Sequence, residues 1–209
     1  MRSRLLAVPA ALLLSVGLLT ACGDDDSSSS DASATDTAPV NAACAEPGAP
    51  LTPLSEVAGG PIVQIPVPSG WEKTDAPAGS GTDQVQVRLA LVAKGLTSNG
   101  FTPKLVVTSN DSGADAQAVL DGEIRSVQQA DPNATVTPGS TCGYPSATAA
   151  VELPAAQGAP ARAGMLKTIV VSQGTGTVTY SLTAQSTDGG NSDYQQAVQT
   201  MFDGVQINK

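Results

Sequence analysis

The side chains with the most definite chemistry here are the three cysteines, Cys22, Cys44 and Cys142. Cys22 closes the run Leu19-Thr20-Ala21-Cys22, which has the form of a bacterial lipobox. A thiol at that place accepts a diacylglyceryl group. The small Ala21 before it suits a dedicated signal peptidase, whose cut leaves the acylated cysteine as the first residue. Two or three acyl chains of the palmitate kind, at about 0.8 kcal/mol per buried methylene, hold a protein on a membrane durably where one chain does not. With Cys22 assigned to lipidation, Cys44 and Cys142 remain as an even pair. An exported chain meets an oxidising compartment, so a Cys44–Cys142 bridge is expected. Its loop is close to the ~100-residue case, for which chain entropy gives about 4.7 kcal/mol as an upper figure. The competing use, a redox or metal pair, has neither a CxxC spacing nor a third ligand to support it.

Other chemistry is limited by composition. The 209 residues contain no histidine, which removes Ser-His-Asp and Cys-His nucleophile systems, His metal sites and imidazole acid/base catalysis. Paired carboxylates of the glycosidase kind are represented by Glu72 with Asp75 and Asp121 with Glu123. The first pair falls in an expected loop. The second is two residues apart on an expected helix, where side chains do not face each other. Both read as solvated surface acids, so no catalytic residue, metal or cofactor is expected, and the protein reads as non-enzymatic. Ten basic against 19 acidic side chains, a formal charge of −9, also excludes a nucleic-acid partner, which needs a basic face. Aromatic residues make up 3% of the chain. Trp71, Phe101 and Tyr144 are the candidate lining residues for a ligand pocket, with plain core or turn packing as the alternative for each.

These residues depend on elements that place them. Residues 1–21 read as an export signal: Arg2 and Arg4, then an apolar stretch from Leu5 to Leu19 broken by Pro9, Ser15 and Gly17. That stretch is short for the roughly 20 apolar residues of a membrane span. Residues 22–43 read as the lipidated cysteine followed by an Asp/Ser-rich tether, too polar and acidic to order. Residues 44–209 form one globular domain with 8 basic and 14 acidic side chains, a balance of −6.

Within that domain, Cys44 to Gly60 is a Pro/Gly/Ala-rich arm with one helical turn expected near Leu54 to Ala58. Ile62 to Pro68 is a strand whose prolines place it at an edge, and Ser69-Gly70 then turns the chain into Trp71. Gln84 to Lys94 alternates, with Val85, Val87, Leu89 and Leu91 on one face. Pro103 to Thr108 is a more central strand. Asp115 to Ala130 is helical, with Ala116, Val119, Leu120, Glu123, Ile124 and Val127 along one stripe, Glu123 its one polar interruption, and Asp131-Pro132 ends it. Ala134 to Thr141 and Ala147 to Leu153 are strands. Ala163 to Gln173 and Thr177 to Ser186 form the clearest hairpin. Ser192-Asp193-Tyr194-Gln195 has the form of a capping box and opens a second helix with Tyr194, Ala197, Val198, Met201 and Phe202 on its apolar face. Gly204 stops that helix, and Val205-Gln206-Ile207 is a last strand. The fold class is α+β, an antiparallel sheet flanked by two main helices.

The order of these segments resembles a known family. Ile65-Pro66-Val67-Pro68-Ser69-Gly70-Trp71 stands near the domain start, Leu105-Val106-Val107 precedes an Asp/Ala-rich helix opening, and Gly143-Tyr144-Pro145-Ser146 precedes a long hairpin and a short helix-strand end. This pattern resembles the LpqN/LpqT lipoproteins of mycobacteria and related actinobacteria, over about residues 61–209 together with the lipoprotein start. The resemblance implies a Mog1/PsbP-like fold and an extracytoplasmic place in the cell envelope, on the membrane through Cys22. It implies no catalytic residues, and it links some members with binding or transport of mycolate-type glycolipids near the lipid-export machinery. The expected function is a non-enzymatic binding module for a lipid or glycolipid in envelope biogenesis or transport. The alternative is a protein-protein adaptor or accessory subunit of an envelope complex, with no small ligand.

Overall fold

The computed structural model describes residues 44–55, 57, 59–75, 85–112, 115–155 and 160–208. The signal segment, the tether and Cys22 lie outside the described residues.

The largest element is an antiparallel sheet of seven strands. In chain order these are β3 (Glu72–Lys73), β4 (Gln86–Val92), β5 (Lys104–Ser112), β6 (Thr135–Thr141), β7 (Tyr144–Leu153), β8 (Arg162–Gln173) and β9 (Gly176–Ser186), arranged β3-β4-β5-β9-β8-β7-β6. Three further strands, β1 (Leu51–Pro53), β2 (Ile62–Pro66) and β10 (Gln206–Asn208), form a second antiparallel sheet in the order β1-β2-β10. The helices are α1 (Ala116–Ala130) and α2 (Ser192–Asp203). The α+β antiparallel class is as expected, with two sheets in place of one.

Alternation in β4, β5, β8 and β9 builds the core. Leu91 pairs with Leu105 and Leu105 with Ala184, while Leu89 pairs with Val107 and Val107 with Leu182. Tyr180 pairs with Ile169, and Val178 with Val171. These residues share one face because side chains directly opposite in a ladder point the same way. The small sheet and the apolar stripe of α2 cover that face, joining Val63, Ile65, Tyr194, Val198, Met201 and Ile207 to one cluster. On the other face α1 packs over β7 and β8 through a smaller cluster of Leu120, Ala147 and Val170.

Several local expectations are corrected. No helical turn forms among the described residues of 54–58; the chain instead enters as β1, with Leu51 opposite Pro66. β2 is not an edge strand. It is the middle strand of the small sheet, because Pro66 sits at its last position, where the missing N–H breaks no internal rung. The stripe Val85–Val87–Leu89–Leu91 does not stay on one face. A bulge between Val87 and Leu89 shifts the register, so Val87 pairs with Thr108 on the opposite face while Leu89 and Leu91 stay in the core. The capping residue of α2 is Asn191, whose side-chain oxygen accepts from the N–H groups of Asp193 and Tyr194, each at 3.0 Å; Ser192 is the first helical residue. For α1, Asp115 caps Gln117 and Ala118 in the same way.

The arm from Cys44 to Pro50 lies against the end of α2. The Cys44–Cys142 bridge forms as expected, across 98 residues of sequence. It joins the arm to the tight turn between β6 and β7, where Cys142 and Gly143 both have positive φ, 52° and 82°. Gln206 Nε2 donates to the Ala45 carbonyl at 2.6 Å, and Val67 N–H donates to the Pro50 carbonyl at 2.8 Å. Gly204, which caps α2, leaves room for the Pro47 carbonyl; a Cβ there would collide with that carbonyl and with the Pro66 ring. Gly204→Ala is therefore expected to destabilise the domain by about 1–3 kcal/mol through overpacking. Urea denaturation followed by circular dichroism reads this, and an unchanged midpoint would show that the arm does not press on Gly204.

Candidate functional site

A cleft of about 650 Å³ lies where four separate pieces of chain meet. One wall is the arm, through Gly48, Ala49 and Pro50. A second is the turn after β2, Pro68 to Trp71, where Gly70 takes a φ of 84° so that the chain can double back into β3. A third is Gly95 and Leu96, in a single 3₁₀ turn over Lys94–Leu96. The fourth is the outer flank of α2, with Asp193, Gln196, Ala197 and Thr200 at helical spacing.

Trp71 is 6% exposed, so its ring belongs mainly to the core while one part borders the cleft. It packs on Tyr194 with ring centroids 6.4 Å apart and planes 29° apart, an offset stack. Tyr194 is fully buried, and its hydroxyl has no hydrogen-bond partner among the described residues. Burial raises the Tyr194 phenol above its ordinary range. The cleft therefore offers apolar surface at Trp71, Leu96 and Ala197, with hydroxyl, amide and carboxylate groups of Ser69, Thr200, Gln196 and Asp193 around it. That mixture suits a ligand with an apolar body and a polar, hydrogen-bonding part.

The three aromatic residues singled out in the sequence are not brought together. Trp71 lines the cleft. Phe101 lies half-buried beyond the 3₁₀ turn, after the tight turn Asn99-Gly100, and its ring lies under two cations, Lys104 Nζ at 5.8 Å and the Arg162 guanidinium at 5.4 Å. Tyr144 opens β7 beside the disulfide turn and packs partly on the core. β7 pairs with β8 from Ser146↔Ile169 to Leu153↔Arg162, so Tyr144 and the Phe101–Arg162 contact mark opposite ends of that strand pair. Neither borders the Trp71 cleft.

Two of the four carboxylates considered for chemistry have local partners. Glu72 is ion-paired with Lys94 at 2.8 Å on the surface, and Asp121 accepts from Gln117 Nε2 at 2.9 Å on the same helix. Sequence reasoning missed the arm and the α2 flank as cleft walls. Gly48-Ala49-Pro50 carries no periodicity to interpret. Gln196 and Thr200 stand four apart beside Ala197, a spacing that signals a shared helix flank and nothing about what faces it.

Lys167 enters the core from β8 and donates to the Phe202 carbonyl at 2.7 Å, at the last turn of α2. Burial lowers its pKa, and the Asp203 carboxylate opposes that shift. The ammonium meets the negative end of the helix dipole, so this contact ties α2 to the sheet below it.

No family model matches the chain, and no curated protein matches it in sequence. The structure is similar to the crystal structure of LpqN of Mycobacterium tuberculosis, a protein involved in cell envelope biogenesis, with a TM-score of 0.58 and 16% identity over 77% of this chain and 91% of LpqN. The chain thus has an LpqN-like fold. A structure from Bacteroides thetaiotaomicron superposes with a TM-score of 0.42 and 10% identity, over 70% of this chain and 45% of that one, and carries no argument.

The buried phenols make a pH prediction. An unfolded tyrosine ionises near pH 10, whereas burial raises Tyr194, and with it Tyr180, in the folded state. At neutral pH both states hold the proton, so the shifts contribute no pH dependence there. Above about pH 10 the unfolded chain releases its protons first and stability falls. Tyr194→Phe is expected to lose less stability than the native chain between about pH 8 and about pH 11 in urea denaturation. Equal losses would show that Tyr194 titrates as if exposed.

Proposed function

We propose that this protein is a member of the LpqN/LpqT-type lipoproteins: an extracytoplasmic, non-enzymatic binding module, held on the membrane by an acylated Cys22. Its cargo is a lipid or glycolipid of the cell envelope, and the Trp71 cleft is the binding site. The observation that carries this reading is the cleft itself. It sets apolar surface from Trp71, Leu96 and Ala197 beside a rim of hydroxyl and amide groups, on an LpqN-like fold. An amphipathic molecule places its chain against the first and its headgroup against the second. The description of LpqN as involved in cell envelope biogenesis supports the setting, and Leu19-Thr20-Ala21-Cys22 supports the anchor.

The function is tested by native mass spectrometry of the tether-free domain purified from an actinobacterial envelope, with organic extraction of the same sample. A stoichiometric mass increment that moves into the organic phase, and that Trp71→Ala reduces, is expected. A clean apo mass would turn the reading to its alternative, an adaptor within an envelope complex, to be followed by cross-linking in intact cells.

The anchor is tested separately. Cys22→Ala is expected to move the protein from the detergent phase to the aqueous phase on phase partitioning and to abolish incorporation of labelled palmitate. Unchanged partitioning would reject lipidation at Cys22.

A further inference from the structure

The arm from Cys44 to Pro50 has two roles in the geometry. It supplies one wall of the cleft through Gly48, Ala49 and Pro50, and it carries one sulfur of the bridge to Cys142. Among the described residues its remaining attachments are few. The Gln206 side chain holds the Ala45 carbonyl, Pro47 rests in the space left by Gly204, and Gly48 lies near the Thr200 methyl. The ladder of β1 begins only at Leu51, and Val67 N–H fixes Pro50 just before it. From Cys44 to Ala49 the arm thus has no strand or helix of its own. Ala45, Glu46 and Gly48 are exposed. A segment with so few buried contacts opens at small cost unless a covalent bond holds it.

The other end of the bridge is anchored much more firmly. Cys142 is 6% exposed, in a turn whose flanking strands pair without interruption from Thr135↔Ala150 to Thr141↔Tyr144. Its sulfur lies 3.3 Å from the Val205 carbonyl oxygen. Breaking the bridge therefore frees the arm far more than the β6–β7 turn.

We propose that the Cys44–Cys142 bridge is a redox latch on the cleft: its reduction releases residues 44–49, removes one wall and opens the site towards Trp71. A dithiol reductant supplies the two electrons and two protons. One of its thiolates attacks a bridge sulfur, the S–S bond breaks through a mixed disulfide, and the second thiol displaces the remaining protein sulfur. The protein is left with two thiols and the reductant with a disulfide. The biological meaning of the latch rests on the Trp71 cleft as the cargo site, while its physical operation does not. The test below uses no ligand, so its failure and the failure of the cargo reading are distinguishable.

The experiment is hydrogen exchange of the full chain, oxidised and after dithiothreitol, resolved by peptide, with acrylamide quenching of Trp71, the only tryptophan. Cys44→Ser/Cys142→Ser is measured beside them. The expected result is exchange about tenfold faster or more in residues 45–49, and stronger Trp71 quenching, in both the reduced and the doubly substituted protein. Peptides from β8 and β9 should stay as protected as in the oxidised chain. Equal exchange in residues 45–49 with and without the bridge would overturn the latch. So would a loss of protection spread over β8 and β9, because the bridge would then hold the whole domain and not one wall.

Discussion

One face of the central strands β4, β5, β9 and β8 is mainly apolar, and burying it is the constraint on which the rest of the architecture depends. The rows Leu91–Leu105–Ala184 and Leu89–Val107–Leu182 cannot face water without large cost. Among the described residues no single element covers them alone. The cover is assembled from the small sheet, α2 and the arm, which come from the two ends of the domain sequence. Where these pieces meet, their edges do not close completely, and the Trp71 cleft is the resulting seam. The site is a by-product of how the core is covered, which explains why its walls come from four distant stretches of sequence.

The opposite face is treated differently. α1 packs over β7 and β8 and fully buries one large side chain, Leu120. Over β5 and β9 the same face carries Thr108, Ser181 and Thr183, half-buried hydroxyl residues that tolerate water. The sheet has a dry side and a wetter side, as antiparallel sheets permit. The Lys167 ammonium enters the dry side and donates to the Phe202 carbonyl in the last turn of α2. That contact fixes where the helix ends over the sheet, and with it the position of the flank that faces the cleft.

Much of this architecture was legible in the sequence, where local patterns carried it. Alternation from Val178 to Ala184 and the spacing of Tyr194, Ala197, Val198, Met201 and Phe202 identify core faces directly. The cysteine pairing followed from the count once Cys22 was set aside. What failed depends on partners far away in sequence. The rank of β2 within its sheet is decided by Leu51 on one side and Ile207 on the other, and nothing in Ile62 to Pro66 encodes either. The bulge after Val87 is a mismatch with β5, visible only when both strands are paired. Asn191 displaced Ser192 as the cap because both are good caps, and helix entry chose the residue one step earlier. The cleft was the least legible feature, since one wall is an arm with no periodicity and another is a flank of α2 that its apolar stripe does not mark.

The bridge also sets how mechanical load travels through the molecule. A pull arriving along the N-terminal segment enters the folded domain at Cys44. Without the bridge, that tension would run through the arm and load the pairing of β1 with β2 directly. With the bridge, the tension crosses to Cys142 and enters the β6–β7 turn, bypassing the chain from Ala45 to Pro50. That stretch hangs slack while the covalent link bears the strain. The wall of the cleft is thereby insulated from forces acting on the end of the chain that precedes it.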